Sequence, residues 1–332
     1  MPDQTTPTAT EQTRPGARGA RPEGTRPRGR GVQTVLEVVG TEQLSPHLVR
    51  IHLGGEGFDA FIAGADTEKL AKTDKYVKMQ FAKPELGLVP PYDLEALRET
   101  LDPDDMPVSR TYTIRSVDAA ARSLAIDFVV HGDEGIAGPW AAGATAGDKI
   151  SFSGPGAQFA PAEGDIEHLF FGDDSAIPAI DAALEALAPD ARGLAIIEIG
   201  SAADEVTLSA PEGVDVRWLH RRAAAANAAD GAGAAAAANA ADGAGAADSA
   251  APAAPYGQPL VDAVRALPVP TAPVEIFAHG EREAMKQLRA TLQGEWGIDR
   301  RAMSLSAYWA YGRTEDRFQS EKREPVGQIF ED

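Results

Sequence analysis

From Val32 to about Pro161, apolar and polar residues alternate in short runs broken by Gly and Pro, the two-residue period of half-buried strands. A helix interrupts this pattern around Pro91-Tyr92-Asp93-Leu94-Glu95-Ala96-Leu97-Arg98, and the whole stretch predicts a small antiparallel β-barrel. The texture changes at His168. His168-Leu169-Phe170-Phe171 reads as a buried strand, Ile177 to Leu187 has helical spacing, and Leu194 to Ile199 is a further strand. Val274 to Ala278 is a strand ahead of the helical Glu281 to Leu292. Strands alternating with helices over short connections predict a parallel α/β sheet, whose ligand site lies beyond the carboxyl ends of its strands.

Within the barrel region, Arg110-Thr111-Tyr112-Thr113 concentrates a cation, two hydroxyls and a ring in four residues. Pro107 blocks a helix from upstream, and Thr111, Thr113 and Ile114 are β-branched, so the segment is predicted to be a strand. Alternation then sets Arg110 and Tyr112 on one face and Thr111 and Thr113 on the other. A planar cation beside a flat ring suits a flavin dinucleotide, with a pyrophosphate for the guanidinium and an isoalloxazine for the ring. An ordinary strand with a snorkelling Arg fits the four residues equally well.

A second strand-like run, Ile126 to His131, leads into the Gly-rich turn Gly132 to Gly138, then Pro139 and Trp140-Ala141-Ala142. That is a helix start able to offer free N–H groups to phosphate oxygens. In the α/β region, Gly172-Asp173-Asp174-Ser175-Ala176 follows the first strand, where a nicotinamide or pyrophosphate contact is expected. A strand-to-helix turn capped by Asp and Ser is the alternative.

Composition narrows the chemistry. With no cysteine in 332 residues, disulfides, Cys-ligated zinc and Cys-held iron–sulfur clusters are excluded, and redox work falls to an organic cofactor or other ligands. No apolar run reaches the roughly 20 residues of a membrane span and no signal-peptide core is present, so a cytoplasmic location is expected. The net charge is −19, yet residues 1–30 contribute +3 through six Arg set against Asp3, Glu11 and Glu23, leaving −22 on the rest. So acidic a body repels nucleic acid and anionic membranes. Residues 1–30, poor in large apolar side chains, are expected to be a disordered basic tail.

A second low-complexity segment, about 223–255, repeats Asn-Ala-Ala-Asp-Gly-Ala-Gly-Ala-Ala at 227–235 and 239–247, and is expected to be a loop insertion. Its Gly231-x-Gly233-x-x-Ala236 satisfies a dinucleotide fingerprint in letters only, because no strand leads directly into it.

The order Arg-x-Tyr-Thr, strand, His-Gly, Gly-rich turn, Trp-Ala, Ala-Gly-Asp and Ser-Gly-Pro resembles the siderophore-interacting proteins, flavin-dependent ferric-siderophore reductases. The resemblance continues through Asp74 to Met79, Phe171 to Ala179, Ile197-Glu198-Ile199 and Val216 to Arg221. It ends in Ser304 to Asp316, with Tyr308-Trp309 at its centre. It implies a ferredoxin-reductase-like plan, with an FAD-binding barrel at 31–163 and an NAD(P)H-binding α/β domain at 164–332. By resemblance Arg110 would hold FAD phosphate, with Thr111 beside it, Tyr112 would stack on the ring, and Thr113 would bond the ring edge or ribityl. His131 would lie beside the flavin, and Gly135, Ala137, Gly138 and Trp140 would surround its phosphate or adenine end. Asp173, Ser175, Ala176, Tyr308 and Trp309 complete the expected cofactor contacts.

The implied reaction carries electrons from NADH or NADPH through FAD to a ferric siderophore, with ferredoxin as another possible donor. A flavin oxidoreductase serving a protein partner and a siderophore-binding protein without turnover are the competing readings. An anionic ferric siderophore approaching an acidic body should need a local cationic rim, and Lys78, Arg313, Arg115 and Lys322 are its candidates. For the choice between nucleotides, Glu198, Asp204 and Glu205 disfavour a 2′-phosphate, whereas Arg217, His220 and Arg221 could attract one.

Overall fold

A computed structural model describes residues 33–130, 135–222 and 256–330. The basic tail, His131 and the 223–255 insertion therefore lie outside the described residues.

The first half is a closed antiparallel barrel of β1 (Thr34–Ser45), β2 (Leu48–Gly54), β3 (Tyr76–Phe81), β4 (Val108–Asp118), β5 (Ser123–Val129) and β6 (Lys149–Gly156). Its strand order is β1-β2-β5-β4-β3-β6, with β6 pairing back onto β1. Closure removes the sheet edges, and the inward residues of every strand fill one core that includes Leu36, Ile51, Leu53, Met79, Ile114, Ile126, Phe128 and Phe152. Short helices connect the strands, and those at Gly57–Gly64 and Ala137–Gly143 bury Phe58, Phe61, Ala137 and Ala141 against this core. Asp66 and Asp93 accept the first free amides of Thr67–Leu70 and Leu94–Thr100, so the sequence signal for the second of these helices was a capping Asp after a Pro pair.

The second half is a five-stranded parallel sheet in the order β11-β10-β7-β8-β9, built from β7 (Glu167–Asp173), β8 (Arg192–Ile199), β9 (Val214–His220), β10 (Val274–Glu281) and β11 (Met303–Trp309). Its strands read as continuous apolar runs because both faces are covered. Phe170, Ala195, Ile197 and Phe277 pack with helix Ile177–Ala186 on one side. Leu169, Phe171, Leu194, Ile196, Ile276 and Ala278 pack with helices Gln258–Arg265 and Arg282–Arg289 on the other. The approach is close at Gly172, where a Cβ would stand 2.7 Å from the Ala176 methyl and 2.8 Å from Ile180 Cδ1.

The described residues form one compact unit in which the halves are packed and tethered together. Leu48 of the barrel joins the apolar cluster of the sheet. Asp74 accepts amides of Gln158 and Phe159 at 2.9 and 2.8 Å, and His47 bonds Asp204 at 2.6 Å. A register shift between Ile114 and Ser116 frees Arg115 from the β4–β5 ladder. Its guanidinium reaches Asp181 at 2.6 Å and Glu185 at 2.6 and 2.9 Å on helix Ile177–Ala186. Arg115 is 6 % exposed. It is a buried strut between the halves, and the charge expected at the cationic rim is here matched by two carboxylates.

Candidate functional site

Strand β4 presents the two faces that alternation predicts. In the β3–β4 ladder, Met79 stands opposite Arg110 and Val77 opposite Tyr112, while Lys78 stands opposite Thr111 and Tyr76 opposite Thr113. Residues directly opposite share a face, so Arg110 and Tyr112 lie on the side of the buried Val77 and Met79, and Lys78 and Thr111 lie on the outer side.

Tyr112 belongs to a group of four rings. Its centroid is 4.2 Å from Phe128 and 6.5 Å from Phe81, and Trp140 closes the group at 5.6 Å from Phe128 and 5.5 Å from Phe81. Burial pushes the Tyr112 phenol above its ordinary range; nearby Glu315 adds to this and Arg110 opposes it. Helix Ala137–Gly143 carries Trp140 into this group, with Ala137 buried beneath it. Ahead of the helix, Gly135 has φ +77° and open space where a Cβ would stand. Gly138 is nearly as open, its nearest neighbour being the Val129 carbonyl at 4.0 Å. A side chain is missing at both positions, and the backbone is free for close approach.

Arg110 donates from Nη1 to Asp316 Oδ1 at 3.0 Å and from Nη2 to Asp316 Oδ2 at 3.1 Å. This is the parallel fork that a guanidinium makes with carboxylate or phosphate. Asp316 opens the helix Glu315–Glu321, 206 residues further along the chain, and was not singled out from sequence. The fork holding an oxyanion, the half-buried ring on the same face and the open glycines fit an FAD pyrophosphate and isoalloxazine.

On the outer face, Lys78 is exposed and has no ion-pair partner among the described residues. The Lys322 ammonium stands 4.5 Å over the Phe318 ring. Desolvation lowers its pKa, Glu315 opposes that, and the nearby positive charge of Lys78 lowers it further, so the two lysines share one neighbourhood. Arg313 is instead bonded through Nε to Glu321 at 3.0 Å. Glu321 also receives Arg282 at 2.6 Å and Arg317 at 2.7 Å, and these guanidinium bonds hold its carboxyl down at about 2. Of the four rim candidates, Lys78 and Lys322 come together, Arg313 is committed to anchoring the C-terminal helix, and Arg115 lies elsewhere.

At the carboxyl ends of the parallel strands, the charges read from sequence satisfy one another. Asp173 is 3 % exposed and accepts the Ser175 amide and hydroxyl, the Glu281 amide at 2.8 Å and the Trp309 indole N–H at 2.8 Å. Gly280, φ +157°, leaves it room, since a Cβ there would stand 2.6 Å from Asp173 Oδ2. Ala176 is fully buried. Asp173 and the Trp309 N–H thus bind this edge together and have no spare valence for a dinucleotide, and only the Ser175 turn and the Trp309 ring face remain to offer one.

The groups that were to choose between nucleotides are likewise paired. Glu198 is wholly buried and accepts the Gly257 and Leu260 amides at 2.9 and 3.0 Å, capping helix Gln258–Arg265. Arg221 bonds Asp174 and lies 4.8 Å from the Tyr256 ring, Arg217 bonds Asp215, and His220 bonds Glu205. Tyr308 lies between the halves: burial raises its phenol, Asp74 adds to this, and a hydrogen bond with Thr113 opposes it. Its ring meets His279 edge-on at 4.8 Å.

A closed antiparallel barrel followed by a parallel sheet is the fold of ferredoxin reductases, which this chain shares. The siderophore-interacting FAD-binding domain matches residues 37–159, and the siderophore-interacting protein domain matches residues 166–312. An uncharacterised Mycobacterium tuberculosis protein is 43 % identical over 294 residues, 87 % of this chain and 94 % of that protein. Ferric vibriobactin reductase ViuB of Vibrio cholerae is 27 % identical over 298 residues, 89 % of this chain and 96 % of ViuB. The crystal structure of a siderophore utilization protein from T. fusca superposes with a TM-score of 0.64 at 31 % identity, covering 85 % of this chain and 94 % of that one. The chain belongs to the siderophore-interacting protein family.

Proposed function

We propose that the chain is a ferric-siderophore reductase that takes electrons from NADH or NADPH and releases ferrous iron from its substrate. The observation that carries this reading is the bidentate Arg110 fork on the same strand face as Tyr112, beside open glycine backbone. It is supported by family membership and by relatives named as ferric reductases. When bound, FAD supplies hydride acceptance from a nicotinamide and single-electron donation to ferric iron.

The protein's own work is then placement. Arg110 would hold the pyrophosphate and the Tyr112 ring would lie against the flavin, while Thr113, buried on the other face of the strand and hydrogen-bonded to Tyr308, would position the Tyr308 ring at the junction. Lys78 and Lys322 give an acidic body one local cationic patch, which attracts an anionic iron complex. Reduction to ferrous iron weakens the grip of hard oxygen donors and frees the metal. No side chain has to act as acid or base.

The test is a pair of half-reactions on FAD-reconstituted protein under anaerobic conditions. NADH or NADPH should bleach the flavin spectrum, and a ferric siderophore should then restore it while a ferrous chelator develops colour. A flavin that neither nucleotide nor reduced ferredoxin bleaches contradicts the reductase reading and leaves a binding protein.

A further inference from the structure

The C-terminal helix Glu315–Glu321 is fixed firmly, yet its acidic first turn is aimed at the barrel. Glu321 holds three arginines, and Phe318, 1 % exposed, packs with Ala307 and Ala310. With its far end so anchored, Asp316 reaches across to take both Nη atoms of Arg110, and Glu315 stands close enough to raise the Tyr112 phenol. Asp316 therefore sits over the very face read above as the flavin site, with Glu315 beside it in the same acidic first turn. The Arg110 side chain is 18 % exposed and its partner 64 % exposed, so the strand holds the cation in place while the anion stands at the solvent side.

We propose that Asp316 is an internal stand-in for the cofactor's phosphate, holding Arg110 in the ligand-free chain and displaced from it when the pyrophosphate docks, so that Asp316 sets flavin affinity. The inference rests on the flavin reading of this face. The two Nη atoms form one fork and serve one oxyanion edge at a time, which makes the carboxylate and the pyrophosphate direct competitors. The exchange is easy in one direction. A carboxylate this exposed returns to water at little loss, whereas a pyrophosphate brings more acceptor oxygens to the same donors. While paired, Asp316 keeps a half-buried guanidinium from being left unmatched. Glu315 adds a repulsion that a bound anion must overcome, and salt weakens it.

The experiment compares FAD dissociation constants, from quenching of intrinsic tryptophan fluorescence, for full-length wild type, Asp316→Asn, Asp316→Glu and Asp190→Asn. Asp190 is an exposed acid between helix Ile177–Ala186 and β8, so its variant measures the effect of net charge alone. Asp316→Asn should bind FAD about two- to five-fold more tightly at low salt, the range an exposed ion pair supplies, with the gain shrinking at high salt. Asp316→Glu and Asp190→Asn should stay near wild type. A second readout needs no flavin: phenylglyoxal should modify Arg110 faster in the Asp316→Asn apoprotein than in wild type, and FAD should protect Arg110 in both.

An unchanged or weaker FAD affinity in Asp316→Asn, or a gain matched by Asp190→Asn, overturns the exchange. Equal phenylglyoxal rates overturn the pairing itself. If no variant binds FAD, the flavin reading and the exchange both fall, and the modification rates alone still show whether Asp316 covers Arg110.

Discussion

The two halves of this protein are charged at similar density and use their charges differently. At the carboxyl edge of the parallel sheet, Asp173, Glu198 and Arg221 are 3 %, 0 % and 7 % exposed, and each is bonded to protein partners on neighbouring elements. On the barrel side, Lys78 is exposed without an ion-pair partner among the described residues, and Arg110 is held by a carboxylate that is itself mostly in water. Buried, saturated networks are expensive to open and fix one structure. Exposed or exchangeable charges can be handed to a ligand. The chemistry of this family member is accordingly read from the barrel side, with the sheet edge serving first as a rigid frame.

The sharpest break in that comparison is Arg115→Ala. It strands Asp181, which is 6 % exposed, without its cation, and should lower stability by about 3 kcal/mol, measured by urea unfolding. Because Arg115 is a strut, the folded fraction should still reduce a ferric siderophore normally; a stable variant with slowed iron reduction would return Arg115 to the rim.

Asp173→Ala should come next. It removes the acceptor shared by Ser175, the Glu281 amide and the Trp309 indole, and should cost about 2 kcal/mol, with the Trp309 fluorescence shifting as its N–H loses its partner. If stability holds and only nucleotide binding suffers, the sheet edge is a site after all.

Lys78→Glu is predicted to act on rate alone. Reduction of an anionic ferric siderophore should slow several-fold, more so at low salt, while bleaching by the nicotinamide is unchanged. Equal slowing of both half-reactions, or of neither, removes Lys78 from the patch.

The smallest expected effect is a pH profile. Burial pushes His279 down to about 3, far below its ordinary 6.5, while its ring stacks 3.9 Å from Phe277 and bonds Ser304 at 3.0 Å. An unfolded chain takes up a proton near 6.5 that the folded chain refuses until about 3. The stabilising contribution is therefore full above pH 6.5 and is lost as pH falls through that window. His279→Phe, which keeps a ring and never charges, should flatten that part of the stability curve; an unaltered slope would show that His279 does not titrate this way.

Much of the fold could be read from periodicity. The alternating runs before Pro161 became the barrel, and the apolar runs at His168, Leu194 and Val274 became adjacent parallel strands. The Arg110 and Tyr112 face was legible because strand alternation is local, and the register bears it out. The ion pairs were not legible. Arg115 finds Asp181 66 residues away, Arg282 finds Glu321 39 residues away, and Arg110 finds Asp316 across 206. A charge in a sequence announces neither its partner nor its burial, so Arg115, Arg313, Asp173 and Arg221 all looked available. Asp316 and Glu321, in an exposed-looking acidic helix, gave no signal that they govern those arginines.

The measurement that bears most directly on the account is a titration of wild type and Arg110→Ala with FAD and with FMN. A guanidinium that bridges a pyrophosphate contributes only to the dinucleotide, and a charged bidentate bond is worth about tenfold or more in affinity. An Arg110 that bridges the pyrophosphate predicts that Arg110→Ala loses at least that much for FAD and much less for FMN. Equal losses for both flavins, or an FAD affinity that Arg110→Ala leaves intact, would contradict it.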